Sequence, residues 1–181
     1  MLRASGCLVA CLSAAVLVPS AYAEDETTFD LLGLGARYGI SDYSNSHEEE
    51  LMAVYANLST PWNWSWDSGW HFNTEIMSMG GIYEINGHDM WHVAIGPNFR
   101  WFKDDFPLHL QFGIAPTYLD SPEAPHFDAG GELHFTSHLG VVFEAHRNWH
   151  LGLTFQHTSN ADTNKYNPGI DVLSIDVSYR F

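Results

Sequence analysis

Residues 151–160 read Leu-Gly-Leu-Thr-Phe-Gln-His-Thr-Ser-Asn, and residues 169–181 read Gly-Ile-Asp-Val-Leu-Ser-Ile-Asp-Val-Ser-Tyr-Arg-Phe. Both runs alternate. Leu151, Leu153, Phe155, His157 and Ser159 share one parity, while Gly152, Thr154, Gln156, Thr158 and Asn160 share the other. In the second run Asp171, Leu173, Ile175, Val177, Tyr179 and Phe181 fall together. Successive side chains on a strand point to opposite faces. The pattern therefore predicts two neighbouring strands, each with one apolar face, joined by the polar loop between them. The apolar stripe ends in His and Ser on one strand and in Asp on the other.

Working outward, six more alternating segments precede these two, at about residues 29–41, 49–60, 68–83, 91–101, 108–118 and 130–144. A strand that spans a membrane needs about 9–11 residues, and each segment reaches that length. Residues 24–181 contain no run of eighteen apolar residues, so no transmembrane helix is expected. Aromatic residues make up 14% of the chain and gather at segment ends, as in the girdles of outer-membrane barrels. Lipid cannot satisfy an open sheet edge, so spanning strands must close on themselves. The fold class read from the sequence is all-β, an eight-stranded antiparallel up-and-down transmembrane β-barrel.

An even strand count puts both termini on one side, which this reading makes periplasmic. Loops around Ser44, Gly87, Pro122 and Asn164 then face outward, and turns near Asn63, Asp104 and Arg147 face the periplasm. Two features sit awkwardly. Residues 60–68, with Trp62, Trp64 and Trp66, are long and aromatic for a periplasmic turn. Pro97 and Pro116 fall inside strands, where proline cannot donate to the ladder, and are read as marking bulges.

The beginning of the chain is read as a signal peptide. Arg3 supplies the charge, Cys7 to Pro19 the apolar stretch, and Ala21-Tyr22-Ala23 the cleavage site. Leu8-Val9-Ala10-Cys11 resembles a lipoprotein signal, but Cys11 comes too early to follow a full apolar region. The expected domains are 1–23, cleaved, and 24–181, the barrel, in the outer membrane of a Gram-negative cell. Both cysteines leave with the signal, so no disulfide or thiol chemistry is expected. The formal charge of −15 becomes −16 when Arg3 leaves, which argues against nucleic acid as a partner.

Chemistry is read from the two terminal strands. His157 and Ser159 lie two residues apart on one face, their Cα atoms ~6.6 Å apart. Asp171 approaches from the adjacent strand. The roles expected are Ser159 as nucleophile, His157 as general base and then acid, and Asp171 fixing the imidazole tautomer. Asn160, Asn167 and loop backbone amides are the candidate donors to an oxyanion. The plainer alternative is a non-enzymatic barrel with a structural or loop-binding role, whose polar residues simply mark the interface. No Gly-x-Ser-x-Gly elbow occurs, so an α/β-hydrolase is not suggested.

The stretch Phe155-Gln156-His157-Thr158-Ser159-Asn160-Ala161, followed by Asn167-Pro168-Gly169-Ile170-Asp171, resembles the PagL family of lipid A 3-O-deacylases. That family has eight-stranded outer-membrane barrels, a His-x-Ser-Asn motif and an acid twelve positions after the Ser. The resemblance implies His157 as base, Ser159 as nucleophile, Asn160 as oxyanion donor, and Asn167 as a matching family Asn. Two positions depart from it: Asp171 stands where the best-known members have Glu, and Asp162 stands where a Gly often follows Asn-Ala. The implied reaction hydrolyses the ester linking a 3-hydroxyacyl chain to the 3-position of lipid A. An acyltransferase passing that chain to another lipid is the enzymatic rival.

The implied partners are lipid A of the outer leaflet and membrane lipids, with a homodimer left open and no cofactor. Six Lys and Arg remain in residues 24–181, few for a phosphorylated substrate, so divalent ions bridging acidic loops to lipid phosphates are inferred. His71, His92, His109, His134 and His138 share the inward parity of their strands. A polar barrel interior explains them more simply than a metal site, and none is expected.

Overall fold

A computed structural model describes residues 29–41 and 49–181. The expected signal segment 1–23 and the loop around Ser44 lie outside the described residues. The described residues form ten strands: β1 (Leu31–Ser41), β2 (Glu49–Ser65), β3 (Trp70–Ile85), β4 (His88–Lys103), β5 (Leu108–Leu119), β6 (Glu123–Ala124), β7 (Phe127–Asp128), β8 (Leu133–His146), β9 (Trp149–Ser159) and β10 (Ile170–Arg180). Eight of them close into an antiparallel barrel in the order β1-β10-β9-β8-β5-β4-β3-β2. The short β6 and β7 form a separate ribbon within the β5–β8 loop.

The alternation assigns the faces. Leu34, Val54, Ile95, Ile114, Leu139, Leu153, Phe155 and Ile175 project outward and are exposed. The interior is largely polar: Arg37, Glu75, Asn98, Thr117, His134, Gln156 and Asp176 are buried inside. This inversion of a soluble protein suits a wall solvated by lipid around a side-chain-filled lumen. Trp62, Trp66, Trp70, Trp101, Phe106, Trp149 and Phe181 form an exposed aromatic belt at the end where β1 begins and β10 finishes.

Buried polar groups need partners, and here they find one another. Arg37 on β1 donates through Nε to Asp176 Oδ1 on β10 at 2.7 Å, and through Nη1 to Gln156 Oε1 at 2.6 Å. Thr154 donates to the other Asp176 oxygen at 2.5 Å. Gln156 then donates to the Tyr83 hydroxyl at 2.5 Å. From Tyr83 a hydroxyl chain continues through Thr158 (2.9 Å), Thr136 (2.8 Å) and Thr117 (2.7 Å). The lumen is thus filled by a connected network and is not an open channel.

Three expectations change. Residues 60–65 are not a turn but the end of β2, and Asn63 lies in that strand. Pairing jumps from Ser59↔Glu75 to Asn63↔Asn73, so an irregularity absorbs the extra residues and the turn tightens to residues 66–69. Pro97 and Pro116 mark no bulge. The β4–β5 ladder stops after Ala94↔Thr117 and resumes at Asn98↔Gly113 in the same register. The two prolines lie inside that gap and pair on their other sides with Ile76 and Phe135. Finally, the sixth barrel strand begins at Leu133, because the β6–β7 ribbon and its return occupy the residues before it.

Candidate active site

The β9–β10 hairpin builds the site. Its register sets Asp171 directly opposite His157. Directly paired residues bring their Cβ atoms within about 5.5 Å, so a short carboxylate can reach an imidazole on the same face. It does: His157 Nδ1 and Asp171 Oδ1 are 2.6 Å apart. Both side chains remain nearly half exposed, at 42% and 48%, on the outward parity of the barrel.

An ionised carboxylate only accepts, so this bond places the imidazole proton on Nδ1 and leaves the Nε2 lone pair to take a proton. Ser159 follows two residues along β9 on the same face, opposite Phe135 of β8. No hydrogen bond joins Ser159 to His157 among the described residues. The structure therefore pairs two members of the expected trio and sets the third beside them. The strand carrying them is fixed from inside, since Thr158, between His157 and Ser159, bonds both Tyr83 and Thr136. Gly169 packs over the ring from the loop: a Cβ there would lie 3.1 Å from His157 Cε1, and its φ of +75° suits glycine.

The two asparagines occupy different places. Asn160 points inward and is fully buried. Its Nδ2 donates to the carbonyls of Tyr166 (2.6 Å), Gly130 (3.1 Å) and Ala129 (3.2 Å). It pins the β9–β10 loop to the start of β8, and its side-chain amide has no donor left for an oxyanion. Its backbone N–H is also taken, donating to Asn167 Oδ1 at 3.0 Å. Asn167 in turn donates through Nδ2 to Asp162 Oδ1 at 2.9 Å. Ala161 and Asp162 both have positive φ, 53° and 60°. Asp162 therefore keeps the left-handed turn where glycine would be ordinary, and its carboxylate orients Asn167.

Sequence reasoning did not find the roles of Gly169 or Thr158. Gly169 sits twelve residues from His157, and only the hairpin brings it over the ring. The inward histidines do not converge: His138 meets Asn98, His134 meets the Ala129 carbonyl, and His109 meets Arg100.

A closed eight-stranded barrel with an apolar outer band and a His-acid pair on its lipid face is an outer-membrane β-barrel carrying a site outside its lumen. Comparison with known proteins narrows the class. The profile of the family described as lipid A 3-O-deacylase (PagL) matches residues 51–180, and the chain belongs to that family of outer-membrane hydrolases. Lipid A deacylase PagL of Bordetella bronchiseptica is 27% identical over 157 residues, covering 82% of this chain and 83% of that protein. The crystal structure of the outer membrane enzyme PagL superposes with a TM-score of 0.67 at 15% identity, covering 82% of this chain and 99% of that one. The crystal structure of Neisserial surface protein A (NspA) is similar in fold, with a TM-score of 0.51 at 14% identity over 83% and 96% of the two chains.

Proposed function

We propose that this barrel hydrolyses the ester linking the 3-hydroxyacyl chain to the 3-position of lipid A, with Ser159 as nucleophile. Family membership supports the reaction class. The observation that carries the mechanism is the 2.6 Å His157–Asp171 contact on the lipid face. Rotation about the Ser159 Cα–Cβ bond brings its Oγ toward Nε2 when substrate docks, and catalytic hydrogen bonds commonly tighten only then. His157 takes the Ser159 proton as Oγ attacks the acyl carbonyl, and returns it to the departing sugar oxygen. Water then enters, loses a proton to His157 and cleaves the acyl-enzyme. Asp171 holds the imidazole in the required tautomer and stabilises its charged form.

The oxyanion falls to Asn167. One Nδ2 proton goes to Asp162 and the second remains for substrate, while Asn160 supports the loop that presents it. The acyl chain lies along the outer wall of β9 and β10, over Phe155, Leu173 and Ile175. The ester is thereby met where lipid A resides, at the outer-leaflet end of the strands, with the termini on the periplasmic side. Residues 1–23 are the export signal on this reading.

Mass spectrometry of lipid A from cells expressing the chain tests this. Loss of one 3-hydroxyacyl mass, abolished by Ser159→Ala, is the expected result, together with free 3-hydroxy fatty acid. Transfer of that chain to another lipid would instead establish the acyltransferase. Unchanged lipid A with a folded protein in the outer membrane would refute the assignment.

A further inference from the structure

At the opposite end of the barrel a second Ser, His and Asp are joined by hydrogen bonds. Ser65 Oγ lies 2.9 Å from His71 Nδ1, and His71 Nε2 lies 2.9 Å from Asp104 Oδ1. The carboxylate only accepts, so Nε2 carries the proton and Nδ1 is the lone pair that receives the Ser65 hydroxyl. This is the polarity a general base needs, with the two ring nitrogens exchanged relative to His157. We propose that Ser65, His71 and Asp104 form a second hydrolytic site, acting on small activated acyl esters that reach the termini-bearing mouth.

Each member is held by a different element. Ser65, the last residue of β2, is the register partner of His71 on β3. His71 is itself the partner of Phe102 on β4, and the rings stack at 4.9 Å and 16°, which fixes the imidazole plane. Asp104 opens the β4–β5 turn. Its backbone N–H donates to the Gly69 carbonyl at 2.9 Å, and Gly69, at φ +79°, leaves room for its carboxylate. Hydrogen bonds join all three members of this trio, whereas in the outer site only His157 and Asp171 are joined.

Accessibility suits chemistry more than packing. Ser65 is exposed, and the Asp104 side chain is 62% exposed. The His71 side chain is 23% exposed, and a contact this open on its Asp104 side is screened by solvent and adds little to stability. Asp104 and Phe102 also line a vestibule of about 790 Å³, together with Arg100, Lys103, Arg147 and Arg180. The openness also sets the substrate class. A tetrahedral oxyanion here meets solvent water, not buried donors, so the site favours esters with a good leaving group. Ser65 Oγ attacks the carbonyl carbon, its proton passes to His71 Nδ1, and the ester C–O bond breaks as His71 protonates the leaving oxygen. Water, deprotonated by His71, then cleaves the acyl-serine and releases the acid.

The test uses the full-length barrel refolded in detergent micelles, carrying Ser159→Ala so that the outer serine is silent. Folding is verified by heat-modifiable gel migration. The protein is treated with a fluorophosphonate probe and the labelled residue is mapped by peptide mass spectrometry. Labelling at Ser65 is expected, with hydrolysis of p-nitrophenyl butyrate. His71→Gln is expected to slow both by ~10²-fold or more, the usual contribution of a positioned base. The surface change Asp104→Asn is expected to slow them while the barrel stays folded. Absence of label at Ser65 in folded protein, or label unaffected by His71→Gln, would overturn the proposal and leave the trio as a clasp between two turns.

Discussion

Replacing Asp171 with Asn separates what the His157–Asp171 pair does for stability from what it does for rate. The two side chains are 42% and 48% exposed, so solvent screens the attraction across their 2.6 Å contact. A half-exposed hydrogen bond between imidazole and carboxylate contributes no more than an exposed ion pair, ~0.2–1 kcal/mol to stability. The variant should therefore migrate as a folded barrel and unfold within about that margin of the parent. Its chemistry should differ sharply. An amide opposite Nδ1 can present its N–H, pulling the ring proton to Nε2, where Ser159 then finds a donor and not a base. Loss of the correct tautomer removes ~10²–10⁴ in turnover, equivalent to ~2.7–5.4 kcal/mol on the barrier. The assay is release of 3-hydroxy fatty acid from lipid A in mixed micelles, with unfolding followed by gel migration on the same samples. Asp171→Glu should keep most activity, since one extra methylene still reaches Nδ1 from the paired position. A turnover for Asp171→Asn within about threefold of the parent, ~0.65 kcal/mol on the barrier, would refute the assigned role.

Gly169→Ala should cost ~1–2 kcal/mol for its left-handed backbone. It should also lower kcat more than it changes KM, because the new Cβ would meet His157 Cε1 at 3.1 Å; steady-state kinetics separate the two. Asp176→Ala leaves the Arg37 guanidinium buried and uncompensated, and should lower stability by ~3–5 kcal/mol, read from the urea midpoint in micelles. Replacing both Arg37 and Asp176 with apolar residues of similar size should cost less than that single change. Chelation should reduce activity on phosphorylated lipid A and added calcium should restore it; equal rates in both conditions would dismiss the ion bridge.

The barrel was legible because a lipid-facing wall and a polar lumen impose strict alternation, and eight segments show it. What the sequence hid depended on pairing. Residues 60–65 read as part of a turn because Pro61, Trp62 and Trp64 interrupt the alternation, yet the break at Ser59/Asn63 lets β2 continue. The prolines suggested bulges, but the ladder simply omits bonds at Pro97 and Pro116. His157 and Asp171 could be placed by parity alone, and their direct opposition required the hairpin register. The position of Asn160 beside Ser159 suggests an oxyanion donor. Its inward parity, already visible in the sequence, is what commits its amide to three carbonyls. The Ser65-His71-Asp104 trio is hidden in the sequence because its members lie on three elements and Ser65 falls in a stretch that reads as a turn.

Arg37 and Asp176 are partners not only as charges but as positions, facing each other where the first and last barrel strands meet. Flanking Asp176 on the same inward parity are Ser174 and Ser178. A slip of two residues along this seam would keep every apolar side chain facing lipid and so escape the usual parity check on register. It would, however, set the guanidinium against a serine and strand two buried charges. The ion pair is therefore satisfied only in the observed register, a distinction between closures that the hydrophobic pattern alone does not make.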